Sequence, residues 1–405
     1  MLKFGTIGIG GFGRTHLSSI ATLEADGSAL LAAVAEVNYD PNKDKIEELR
    51  SRGVKYYSDW HQMLDFEKGL DVVTIATPLH LHSDMTIEAL RRGFNVLCEK
   101  SATTTIQEID AMIAAQKESG KLCAIHFQLL TGRPFRRLKE LLFNGRLGKP
   151  KTLVGIGLWK RQDIYFARSR WAGKFKVDDR YVLDGPINNA LAHIYNNLLS
   201  LACEGPNELA KPIEVKAELY RAHPQIEMED VASIHVKTES DVDIYFYPTY
   251  CVETHKDPWI EVEAENGKAI WTNKSLKIEY NDGENEEMLL DASGQGSSQK
   301  IFQNIVDVLS GNAEEVYSPL AESKKLVSAQ NGAYYSSKKI VTIPDEYIVR
   351  KEEGVSISTI VKDLDEIILR AASERKLFSE LGVPWAKGTE PFSLEGYERF
   401  QLEEI

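Results

Sequence analysis

Cysteine is scarce in this chain of 405 residues. There are four, Cys98, Cys123, Cys203 and Cys251, with neither a CxxC metal pair nor the density of a disulfide framework. The expected compartment is therefore the reducing cytoplasm. Long apolar runs are missing as well. Nothing approaches the ~20 consecutive apolar residues of a membrane-spanning helix. A glycine turn also breaks the N-terminal run where a secretion leader would need a continuous apolar core. Basic charge is in deficit: 48 Lys and Arg face 61 Asp and Glu, for a net charge of −13. Such a chain repels phosphate backbones unless a basic block compensates, and the sequence has none, so no nucleic-acid or membrane partner is expected. What is present is an ordinary globular composition, 43% hydrophobic and 27% charged, at a length that suits two domains.

The first third alternates strand and helix. Short Ile/Val-rich runs (KFGTIGIG, ALLAAVAEV, DVVTIATP, FNVLCEK, KLCAIHFQ) are separated by amphipathic stretches that stop at glycines. Repetition of that unit predicts a parallel sheet with helices on both faces. Near Gln128 the rhythm changes. A helix, a strand, a loop rich in Arg, Lys and Asp, and the helical segment NNALAHIYNNLLSLA are followed by strands without intervening helices, with Asn266-Gly267 as a hairpin turn. That pattern predicts a mostly antiparallel sheet. Helices return at about 299–309 and 321–338, and the last sixty or so residues read as one long helix over 357–377 with a Pro/Gly-containing tail.

The chemistry starts at Gly8-Ile9-Gly10-Gly11-Phe12-Gly13, a GxGxxG turn between a strand and a helix. The first glycine permits the tight turn, the second lets a pyrophosphate approach the backbone, and the third lets helix and strand pack closely. Glu36 ends the second strand, where a ribose-binding carboxylate belongs. A carboxylate accepts from ribose hydroxyls and repels a 2′-phosphate, which favours NAD over NADP. Thr77 and Pro78 close the third strand, and Glu99-Lys100 the fourth, at the edge where ligands of a parallel sheet bind. Lys100 there can stabilise an alkoxide as hydride leaves. His80 and His82 have no third ligand nearby in sequence, so packing or capping is expected of them and no metal site is assigned. Asn189 and His193 share one helix face at i, i+4 spacing, with His193 as the proton acceptor.

Taken in order, these segments resemble the Gfo/Idh/MocA family (glucose–fructose oxidoreductase, inositol dehydrogenase and the rhizopine catabolism protein MocA). The likeness covers residues 1–343: GIGGFGRTH, ATPLHLH, VLCEK, the RP start of the next helix, RWAGK and NGAYYSS. It implies an α/β chain with an N-terminal Rossmann dinucleotide-binding domain (1–128), a C-terminal α+β substrate domain with a large open, mostly antiparallel sheet (129–343), and a helical extension (344–405). The resemblance assigns the turn Gly8, Gly10, Gly11, Phe12 and Gly13, with Glu36, to the dinucleotide. It assigns Thr77, Pro78, His82 and Glu99 to its nicotinamide half, and makes Lys100 and His193 the catalytic pair.

Two positions depart from the family pattern: Ser101 replaces the proline after Glu-Lys, and Asn189 replaces an aspartate four residues before the histidine. Asparagine can orient the imidazole or bind a substrate hydroxyl but brings no charge. Asp184, upstream, either compensates or caps the loop. Lys160, Arg161, Tyr165, Arg168 and Trp171 lie in the loop whose family counterparts contact substrate, and cations with aromatic rings suit polyhydroxylated molecules. The expected protein is an NAD-dependent oxidoreductase of a sugar, sugar derivative or cyclitol, forming a homodimer or homotetramer through the C-terminal sheet. A redox-recycling glycoside hydrolase and a non-catalytic NAD- or sugar-sensing regulator are the alternatives.

Overall fold

A computed structural model describes residues 1–290 and 297–405. The chain folds as two compact units, and neither is contiguous in sequence. One contains Met1–Thr103, Glu108–Thr131 and the described residues up to Ser323 that begin with the helix Ser297–Leu309. The other contains Thr104–Gln107, the described chain from Gly132 to 290, and Lys324–Ile405.

In the first unit six strands pair in parallel. They are β1 (Leu2–Ile7), β2 (Ala29–Ala35), β3 (Lys55–Tyr57), β4 (Val72–Ile75), β5 (Asn95–Cys98) and β6 (Cys123–Ile125), in the spatial order β3-β2-β1-β4-β5-β6. The order reverses between β1 and β4, which creates the crevice where such sheets take their ligands. β1, β4 and β5 are apolar nearly throughout because helices cover both faces. The edge strand β3, KYY, is too short and polar to register as a buried strand in the sequence. The helix Ser297–Leu309 packs Ile301, Phe302 and Ile305 into the cluster of Phe4, Ile20 and Val34.

The second unit is built on a ten-stranded sheet. Its long strands are β7 (Pro150–Leu158), then, beyond a two-stranded ribbon β8 (Lys176–Val177) and β9 (Arg180–Tyr181), β10 (Pro212–Arg221), β11 (Val231–Thr238), β12 (Asp243–Thr249), β13 (Trp259–Ala264), β14 (Gly267–Thr272), β15 (Ser275–Tyr280) and β16 (Asn285–Leu289). The order is β16-β15-β14-β13-β7-β12-β11-β10-β17, where β17 is Val341–Thr342, and the tenth strand, Phe392–Ser393, pairs with β10 off this path. Most pairs are antiparallel as expected. β7 with β12 and β10 with β17 are parallel, so the sheet is mixed.

Gly155 and Gly157 of β7 let the helix Ala192–Leu201 lie close on one face. A Cβ at either position would come within 2.6 Å of Leu198 or Leu191. The opposite face of the same strand presents Val154, Ile156 and Leu158. Residues of the C-terminal segment cover them: Ile348, Val361, Leu364, Ile368, Phe378 and Trp385. That segment differs from the single long helix expected over 357–377. It forms a hairpin of β18 (Ile348–Glu353) and β19 (Ser356–Val361), then a shorter helix, Leu364–Glu374. SISTIV alternates β-branched residues at period two, and the turn residue Gly354 sits at φ +65°, so the hairpin outcompetes the helix. No helix among the described residues is long and apolar enough to cross a membrane.

Candidate active site

At the end of β1 the backbone closes a tight turn onto the helix Gly13–Ala25. A Cβ at Gly13 would overlap the carbonyl oxygen of Gly8, whereas one at Gly11, at φ +48°, would meet nothing within 4 Å. Contact forces the glycine in the first case and open space lies beside it in the second. Among the described residues the amides of Gly11 and Phe12 have no acceptor, which leaves donors at a helix start facing outward. Glu36, just past β2, is buried. Its Oε2 accepts from the amides of Ile9 (3.0 Å) and Gly10 (3.3 Å), and its Oε1 from Asn38 (2.9 Å). A carboxylate poised on the glycine turn and an open, amide-lined helix start are what an adenine dinucleotide requires, so these residues fit that group.

Beyond β4, Thr77 and Pro78 lead to His82, the first residue of the helix His82–Arg91. The buried His82 ring lies between two carbonyl oxygens, Ser101 at 2.8 Å from Nδ1 and Thr77 at 2.9 Å from Nε2. Burial lowers its pKa, and the two carbonyls oppose that shift. His82 thus ties the loop after β4 to the loop after β5. Ser101 is fully buried and follows a cis Lys100–Ser101 peptide.

Glu99, which precedes Lys100, is buried too. Its Oε1 lies 2.7 Å from His16 Nε2 and 3.0 Å from His126 Nδ1, and its Oε2 accepts from the Lys100 amide at 3.3 Å. Burial pushes the Glu99 carboxyl up, but the imidazoles of His126 and His16 outweigh it and hold it well below the usual range. Burial lowers the His16 pKa, against the pull of Glu99. His126 Nε2 lies 2.9 Å from Ser298 Oγ. Sequence reasoning missed both histidines. The one available signal was His16 in GRTH, three residues after Gly13.

In the second unit, Asp184 gathers the residues expected to meet substrate. Its Oδ1 accepts from Asn189 Nδ2 at 2.5 Å, and its Oδ2 from the Gly173 amide at 2.7 Å and from Arg168 at 3.2 Å. Burial raises the Asp184 pKa, and Arg168 leads the contacts that oppose it. Asn189 corrects the sequence reading. It lies in a turn ahead of the helix Ala192–Leu201, with its amide bonded to the Gly185 carbonyl at 3.0 Å, so it does not share that helix with His193. The amides of Asn188 and Asn189 both bond to the Gly185 carbonyl, Leu191 bonds back to Pro186 and Ala192 to Asn189, so irregular turns precede the helix. His193 is the second residue of that helix and is buried.

The turn rests on the helix Leu320–Ser337, the segment that carries NGAYYSS. Gln330 donates to the Ile187 carbonyl at 2.8 Å, and Asn188 donates to the Tyr334 hydroxyl at 2.5 Å. That hydroxyl lies 3.3 Å from Glu229, whose pKa burial pushes up to about 8. A Cβ at Gly185 would overlap the Glu229 carboxyl group.

The loop beginning at Lys160 divides by charge. Lys160 is paired with Glu353 of the C-terminal hairpin at 2.6 Å, so that ammonium is committed to holding the loop. Tyr165 is approached by two guanidiniums, Arg168 at 3.8 Å and Arg161 at 4.6 Å from its ring centre, and Arg168 also lies 4.7 Å from the Trp171 ring. The Tyr165 hydroxyl lies 3.5 Å from Asn189 Nδ2. Burial raises the Tyr165 pKa, with the Asp184 charge adding to it.

Residues 2–127 match the family described as oxidoreductase family, NAD-binding Rossmann fold, and residues 135–270 match the GFO/IDH/MocA C-terminal domain. Myo-inositol 2-dehydrogenase of Thermotoga maritima is 29% identical over 153 residues, 38% of this chain and 44% of that protein. The chain therefore aligns with under half the length of this curated relative. Among solved structures, the WlbA dehydrogenase of Bordetella pertussis with NADH and UDP-GlcNAcA superposes with a TM-score of 0.68 at 20% identity, over 83% of this chain and 96% of that one. A levoglucosan dehydrogenase with NADH and L-sorbose superposes with a TM-score of 0.71 at 17% identity, over 84% and 97%. With both domains matched in order, the chain belongs to the Gfo/Idh/MocA oxidoreductase family.

Proposed function

We propose that the protein is an NAD-dependent oxidoreductase that moves a hydride between nicotinamide and a ring carbon of a sugar, sugar derivative or cyclitol. The observation that carries this reading is the Glu36 carboxylate seated on the glycine turn beside an open helix start. The inositol dehydrogenase relative and the sugar-bound neighbours support the substrate class. Bound NAD supplies the hydride acceptor.

The chain's own groups do the rest. Glu36 accepts from the adenosine ribose, and the Gly10–Gly13 amides face the pyrophosphate. Thr77, Pro78, His82 and Glu99 shape the nicotinamide half. Lys100 donates to the reacting hydroxyl and stabilises the developing alkoxide, and His193 takes its proton. Asn189, oriented by Asp184, positions the substrate, with Tyr165, Arg168 and Trp171 around it.

In the same reading the enzyme is cytoplasmic, in keeping with four unpaired thiols, and assembles through its C-terminal sheet. The part of that face left uncovered carries Glu263, Lys268, Lys277 and Glu279, so assembly there would weaken with salt, which sedimentation at two ionic strengths tests. The function itself is tested by incubating the protein with NAD and a panel of aldoses, uronates and cyclitols. Stoichiometric NADH supports it. Product without NADH indicates the redox-recycling hydrolase, and NAD binding without any product indicates a sensor.

A further inference from the structure

We infer that Arg161 is the receptor for a carboxylate on the substrate, so that the preferred substrate is an acidic sugar or cyclitol derivative. This rests on the oxidoreductase reading above and narrows it. The other cations of the loop are matched: Lys160 with Glu353 at 2.6 Å, Arg168 with Asp184 at 3.2 Å, Arg170 with Asp178 at 2.8 Å and Lys174 with Glu227 at 2.7 Å. Arg161 differs. Among the described residues its side chain has neither an ion pair nor a hydrogen bond, and its Nε is shielded from solvent. Its contacts are aromatic: the guanidinium lies 4.6 Å from the ring centre of Tyr165, 5.1 Å from that of Trp159 and 6.0 Å from that of Tyr250.

Acids outnumber bases 61 to 48 in this chain, so a half-buried guanidinium left without a carboxylate is not for want of candidates. Aromatic contact stabilises the cation but satisfies none of its five N–H donors, which a planar carboxylate accepts in pairs. The charge also selects. One unmatched cation balances a carboxylate, whereas a phosphate monoester at about −1.5 to −2 would call for a second. The position is consistent with a substrate contact, because Arg161 lies against the ring whose hydroxyl reaches Asn189.

The experiment compares matched pairs on the NAD-loaded enzyme, D-glucuronate against D-glucose and D-galacturonate against D-galactose, with D-glucose 6-phosphate as a third arm. Binding is read by calorimetry and turnover by NADH formation. The acidic members should bind more tightly, and Arg161→Met should reduce their advantage by about 10- to 100-fold. Arg161→Lys should restore part of it, and Arg170→Met should leave it intact. Equal binding of acidic and neutral members, no binding of either uronate, a preference for the phosphate ester, or an advantage that survives Arg161→Met would overturn the assignment. NADH from neutral sugars with no role for Arg161 would overturn it while leaving the oxidoreductase reading standing. Uronate binding that depends on Arg161 but yields no NADH from any sugar would uphold the receptor and remove the enzyme.

Discussion

Asn189 donates to Asp184 at 2.5 Å, and the carboxylate it touches is also held by the Gly173 amide and Arg168. Asp184 thus caps the loop at Gly173 and holds the side chain of Asn189. Gly173 sits at φ +69°, and a Cβ there would come within 2.5 Å of Ile226, so the loop approaches Asp184 through a position only glycine fills easily.

Asp184→Asn turns an acceptor into a mixed donor and acceptor against three donors and strips Arg168 of its counter-charge. A loss of about 1–3 kcal/mol of stability is expected, reduced from the fully buried case because Arg168 is partly exposed. Urea denaturation measures it. An unchanged midpoint would mean that the Asp184 contacts contribute nothing net.

Glu36→Ala removes the acceptor assigned to the adenosine ribose. The dissociation constant for NADH should rise about 10- to 100-fold, the value of one or two hydrogen bonds to a charged group, while that for NADPH changes less. Fluorescence titration with both cofactors reads this directly. Equal effects on the two would remove Glu36 from the ribose.

Glu229 gives a prediction with a sign. In the unfolded chain its carboxyl ionises near 4.5, whereas burial holds the proton in the folded state up to about 8. Folding takes up a proton between those values, so this group's contribution to stability falls as pH rises from 4.5 to about 8. Glu229→Gln has no proton to lose. The variant should gain on the wild type with rising pH, by up to a few kcal/mol between pH 5 and pH 8. Urea midpoints that differ by the same amount at both values would contradict the buried, protonated carboxyl.

The first unit was largely legible because its signals are local: short continuous apolar runs, a glycine turn within six residues, and an acid at the end of the next strand. The clasp on Glu99 was not, since His16 and His126 lie 83 and 27 residues away and nothing local marks either as its partner. Asn189 was placed on the helix because NNALAHIY has helical composition, while bonds from Gln330 to Ile187 and from Asn188 to Tyr334 hold the turn from far along the chain. The partner of Lys160 was out of reach because Glu353 lies 193 residues on, in the segment read as a helical extension. Local chemistry survives reading from sequence, and the choice of partner across the chain does not.

The central claim is that Lys100 stabilises the oxygen from which the reacting carbon loses its hydride. The most direct test is Lys100→Met, assayed for NADH formation on the best substrate from the panel and separately for NAD binding. NAD should bind much as before and turnover should fall about 10²- to 10³-fold, as for loss of one oxyanion donor. Turnover close to that of the wild type would contradict it.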